Sequence, residues 1–145
     1  MNNDLKQKIN LAAESLDALK GVHDEFIKRQ SAIPMIDQHA GMFGIENKSI
    51  MAVCLGVELK VTWRPVVDHD GAPKMMEYLF AADYKEGELV VFAMYLYQNG
   101  VFFRDPDLKT KLWAYSNNLE ISSEILSLIA DAMLKSKLFA PTRPS

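Results

Sequence analysis

The chain of 145 residues contains one cysteine, Cys54, so no intrachain disulfide and no cysteine-based metal site can form. A single thiol fits a reducing compartment, and a cytoplasmic location is expected. Long apolar runs are missing too. The longest is Leu89 to Tyr97, far short of the roughly twenty residues a spanning helix needs. Charges appear from Asp4 onward with no apolar stretch behind them, so neither a secretory leader nor a membrane partner is expected. A basic field is also lacking. The 16 Lys+Arg against 19 Asp+Glu give a net charge of −3, spread evenly along the chain, which argues against nucleic acid. The sequence holds no G-x-G-x-x-G, no Walker loop and no H-E-x-x-H, so no cofactor is expected.

What remains is an average apolar fraction, 49%, in a chain of one-domain length. A single α+β domain over 1–139 is expected, with a disordered tail at 140–145.

Residues 4–29 predict one long helix. Leu5, Ile9, Ala12, Leu16, Leu19, Val22 and Phe26 recur at spacings of three and four, forming one apolar stripe. Gly21 is the point at which this helix could end or kink. Unbroken, it is roughly 40 Å long, more than a small sheet covers, so it is expected to protrude and pair with another subunit.

Residues 31–49 carry Pro34, Gly41 and Gly44 and read as a long loop with unusual apolar content, including Met35, Met42, Phe43 and Ile45. Residues 50–64 read as one strand, with Gly56 as a bulge or break. Val57, Leu59, Val61 and Trp63 alternate with Glu58, Lys60, Thr62 and Arg64, the pattern of a strand wet on one face. Asp68-His69-Asp70-Gly71 is a turn. Residues 75–84 and 88–98 are further strands, and Asn99-Gly100 predicts a two-residue hairpin into a return strand at 101–104. That register places Tyr97 opposite Phe102 and Tyr95 opposite Arg104. The resulting sheet face of Tyr95, Tyr97, Phe102 and Arg104 has the composition of an interface hot spot, with Arg104 over Tyr95 as a cation–π pair. Coverage of this face by the helices, as a second core layer, is the competing expectation.

Asp105-Pro106-Asp107 favours a helix start over a competing strand at 109–115, with Asn117-Asn118 ending it. A last helix is expected from about Ser122, as N-cap, to Leu138. The fold expected is therefore α+β: an antiparallel four-stranded meander with a long N-terminal helix and C-terminal helices packed on it. This general form is similar to that of bacterial adaptor, chaperone and immunity proteins, a likeness of architecture that no residue motif supports.

Paired catalytic groups are not evident. Cys54 lies in an apolar stretch, where a thiol stays protonated and inert. Asp37, His39, His69 and Asp70 could hold a metal only if loop and turn meet in space. The leading expectation is a non-catalytic protein-binding module, homodimeric, using Tyr95, Tyr97, Phe102, Arg104, Met42 and Phe43. The alternative is a site for a small apolar ligand, with the 31–49 loop as a lid over the aromatic face. A metal-dependent enzyme ranks third.

Overall fold

The computed structural model describes residues 3–114 and 121–139. The expected tail at 140–145 and the break at Asn117-Asn118 lie outside them. Helix α1 spans Asn3–Ser31. It passes unbroken through Gly21 and keeps its cations, Lys28 and Arg29, in the last turn, where the helix dipole favours them.

Eight strands follow: β1 (Ile36–Gln38), β2 (Gly41–Glu46), β3 (Ser49–Cys54), β4 (Val57–Val66), β5 (Met75–Tyr84), β6 (Gly87–Tyr97), β7 (Val101–Phe103) and β8 (Lys111–Ala114). Helix α2 spans Ile121–Leu134. The strands pair in chain order as one antiparallel sheet, curled into a half-barrel, with the two helices against its inner face. The four-stranded meander expected from the sequence is therefore corrected to eight strands, while the α+β class stands.

The extra strands have three sources. The first is the supposed loop at 31–49, which contains β1 and β2. Its glycines serve packing, not bending. At Gly41 a Cβ would lie 1.9 Å from the Val53 carbonyl oxygen, so only glycine lets β2 approach β3 there. The apolar content that a loop does not need belongs to the core: Phe43 and Ile45 point inward with Ala52, which Phe43 faces.

The second is the segment 50–64, which is a hairpin. Leu55 and Gly56 both take positive φ, 51° and 78°, and turn the chain tightly between β3 and β4. The third is the region after Asp105. Its side chain does cap, as its residue type predicts, but it caps a tight loop: Oδ1 accepts from the Lys109 amide and Oδ2 from the Thr110 amide. Leu108 at φ 59° breaks any helix there. The chain returns as β8, which supplies the ladder partner that β7 would otherwise lack. Tyr115, part of the expected helical spacing, lies outside the described residues.

The Asn99-Gly100 turn is real, but its loop has three residues. Gly100, at φ 87°, takes the left-handed position that a three-residue hairpin requires. Leu96 therefore faces Phe102, and Tyr95 faces Phe103. A one-residue slip moves side chains to the opposite face, so Phe102 joins the inner core and leaves Tyr95 and Tyr97 behind. Arg104 does not sit over Tyr95. Its guanidinium lies 4.4 Å from the Phe92 ring centre and donates to the Ala93 carbonyl at 2.7 Å.

The core is continuous from sheet to helices. Phe26 of α1 meets Phe102 edge-on at 4.9 Å between ring centres. Tyr78, Phe80, Met94 and Leu96 line the sheet side, and Ile121, Ile125, Ile129 and Met133 of α2 close it. Ser122, expected as an N-cap, lies one residue inside α2. Its hydroxyl is buried and donates to Gln30 Oε1 at 2.9 Å, tying α2 to α1.

Candidate functional site

Helix α1 divides into two halves. Between Leu19 and Gln30 its inner stripe is buried: Leu19, His23, Phe26, Ile27 and Gln30. Stepping back along the helix by threes and fours, the same stripe continues through Leu16, Ala12, Ile9 and Leu5. Leu16 and Ala12 are half-buried, and cover falls away toward the N-terminus. Leu5 is 50% exposed and Ile9 51%, and Leu11 on the adjoining flank is exposed as well. A cleft of about 460 Å³ runs beside this half, between Gln7, Leu11 and Ser15 of the helix and the turn residues Asp70 to Ala72.

The buried half contains two polar groups, each given a partner. Gln30 meets Ser122. His23 Nδ1 lies 2.6 Å from Tyr78 Oη. Tyr78 is wholly buried and its hydroxyl has no other hydrogen-bond partner among the described residues. A buried O–H needs an acceptor, so it donates to Nδ1. That leaves the proton of the neutral imidazole on Nε2, which points away from Tyr78. Burial pushes the His23 pKa below its ordinary 6.5 and outweighs the upward pull of Asp24, so the ring is neutral at pH 7. Burial likewise pushes the Tyr78 hydroxyl well above its usual range.

The Trp63 indole lies tilted beside His23, with ring centres 5.4 Å apart. Together they form one wall of a second cleft of about 770 Å³, completed by Asp24, Ile27, Lys28 and Ser31 of α1 and by Asn47 and Lys48. Asn47 and Lys48 form the β2–β3 turn, both at positive φ, 52° and 63°. A lysine in that conformation is uncommon outside turns, and here the two-residue hairpin demands it.

The six residues singled out from the sequence do not share one surface. Phe43 and Phe102 are wholly buried on the inner face. Met42 is 38% exposed on the outer face of β2. Tyr95, on the outer face of β6, is nearly buried and donates its hydroxyl to Glu77 Oε2, while Glu77 Oε1 accepts from Arg64. Tyr97 and Arg104 are half-buried. Three strands, β3 to β5, thus lie between the Met42–Phe43 pair and Tyr95, and a hairpin built into the sheet stands where a lid was expected.

Among the described residues, only Asp68, His69 and Asp70 bring possible metal ligands within 4.8 Å of one another. Asp37 and His39 are not among them. Asp68 Oδ1 is already engaged by the amides of Asp70 and Ala72 as part of the turn. The Cys54 thiol is buried among apolar groups, which raises its pKa.

Sequence reasoning missed His23, Trp63, Lys28 and Lys48. One signal was available: His23 occupies a core position of the α1 stripe, four residues after Leu19 and three before Phe26. The approach of Trp63 and Lys48 to that helix depends on the β2–β3 hairpin.

Comparison with protein-family models, with curated proteins and with solved structures finds no match. No helix among the described residues is long and apolar enough to cross a membrane. The protein is thus defined by its own architecture, a curled eight-stranded antiparallel sheet holding two helices.

Proposed function

We propose that this protein is a non-catalytic protein-binding module that works as a homodimer through the N-terminal half of α1. The observation that carries the reading is the bare continuation of the helix's buried stripe, with Leu5 and Ile9 half exposed where Leu19 and Phe26 are fully covered. Exposed apolar side chains in a row along a helix lose contact with water when a second helix covers them.

Charge supports a second copy as the occupant. At 100° per residue, Lys6 and Asp17 fall on the same flank of the stripe, eleven positions apart. In an antiparallel pair with its dyad near Leu11 and Ala12, Lys6 of one copy meets Asp17 of the other, twice. Leu5 then packs near Leu16 of the partner and Ile9 near Ala12. Such a surface is self-complementary, as a two-fold interface must be. The cleft beside the helix widens it toward the roughly 800 Å² per partner that a stable interface buries. The buried, unpaired thiol of Cys54 is compatible with a reducing compartment such as the cytoplasm.

Sedimentation velocity at tens of micromolar tests the reading. The expected result is a dimer that Leu5→Glu with Ile9→Glu converts to a monomer of unchanged circular dichroism. A wild-type chain that stays monomeric at that concentration, or a double variant that stays dimeric, overturns it.

A further inference from the structure

The second cleft belongs to the other half of α1 and does not depend on self-association. We propose that the cleft between α1 and the β2–β3 turn binds a small aromatic anion, a flat ring bearing a carboxylate or a similar acid group.

The walls set the ring requirement. Trp63 presents a partly exposed indole, and Ile27 adds an aliphatic surface. At about 770 Å³ the cleft is the size of ordinary small-molecule sites, which are mostly apolar with few placed polar groups. An indole face gains by stacking on another flat ring.

The polar groups set the sign of the charge. Lys28 from the helix and Lys48 from the turn lie in the lining, against the single carboxylate of Asp24. His23 is 92% buried, since only 8% of its surface is exposed, and Nε2 has no hydrogen-bond partner among the described residues. With Nδ1 accepting from Tyr78, Nε2 can only donate. His23 lines the cleft, so this donor is open to a ligand there. A ligand acid oxygen can accept from that nitrogen, and the two ammonium groups supply the charge complement. The hairpin turn holds the Lys48 backbone in place, and α1 holds Lys28, so both cations are present before the ligand arrives.

The test uses the full chain carrying Trp113→Phe, so that Trp63 is its only tryptophan. It is titrated with 4-nitrobenzoate, which quenches indole fluorescence, and with the neutral 4-nitrobenzamide of the same shape. We expect saturable quenching by the acid below millimolar concentration and at least tenfold weaker binding of the amide. Lys28→Gln with Lys48→Gln should weaken the acid at least tenfold while moving the unfolding midpoint little, because both side chains are exposed and Gln brings no opposing charge to the end of α1. Equal binding of acid and amide, quenching that never saturates, or full affinity in the double lysine variant overturns the proposal. If Trp113→Phe does not fold, NMR of the wild-type chain replaces the fluorescence. The Trp63 indole N–H must then shift with the acid while that of Trp113 stays; a shift of neither, or of both alike, counts against the proposal.

Discussion

The two halves of α1 have the same pattern and different surroundings. From Leu19 to Gln30 the stripe is buried against the sheet and α2, and even its polar members are bonded. From Leu5 to Leu16 the stripe has the same spacing, and its first residues stand half in water. Periodicity makes the helix; the sheet's extent decides which part of it is core. The comparison teaches that an amphipathic stripe states how much surface a helix needs covered, but not what covers it.

Substitution along the stripe is the strongest way to break this comparison. Phe26→Ala should cost about 3–5 kcal/mol in denaturant unfolding, as for other buried aromatic side chains. Ile9→Ala, on the same stripe, should stay within about 0.5 kcal/mol when measured dilute enough to be monomeric. Comparable losses at both sites would mean that the two halves are equally covered within one chain.

Next in size is Ser122→Ala. It strands Gln30 Oε1 in the buried half and should cost about 1–3 kcal/mol in the same measurement. A neutral result would show that Gln30 is not held as its 2.9 Å contact implies.

The acid dependence follows from His23. Its folded pKa lies below the unfolded 6.5, so the unfolded chain binds the proton first. Stability from this group is complete above about pH 6.5 and is lost as pH falls below it, with a slope of at most about 1.4 kcal/mol per pH unit. The groups around it are Asp24 and Lys28 on its own helix, Tyr78 and Trp63 on the sheet, and Lys48 on the turn. Unfolding at pH 7.5 and 5.5 should show a steeper loss for the wild type than for His23→Leu; equal slopes would mean that folding does not lower the His23 pKa.

The smallest effect concerns the bare half. Lys6→Asp or Asp17→Lys alone should weaken the dimer about two- to fivefold, as exposed pairs typically do, and the two together should restore it. Additive weakening in the double variant would place the dyad elsewhere along the helix.

Much of this architecture is legible in the sequence. The helix, its protruding stripe, the turn at Asp68–Gly71 and the strands at 75–84 and 88–98 follow from periodicity and turn chemistry. The β2 strand was hidden because its glycines, read as loop punctuation, serve close backbone approach to β3 instead. The β6–β7 register was hidden because Asn-Gly fits both two- and three-residue hairpins, and one residue decides which face Phe102 takes. The cleft at His23 was the least legible part. It is built from a helix, a turn and a strand whose approach depends on the hairpin that the loop reading dissolved.

Amide hydrogen exchange along α1 at two protein concentrations tests the central contrast most directly. The account predicts strong, concentration-independent protection from Leu19 to Gln30. Between Leu5 and Leu16 protection should be weak in dilute solution and should rise at tens of micromolar. Equal protection of both halves at every concentration, or no gain in the first half as concentration rises, would contradict it.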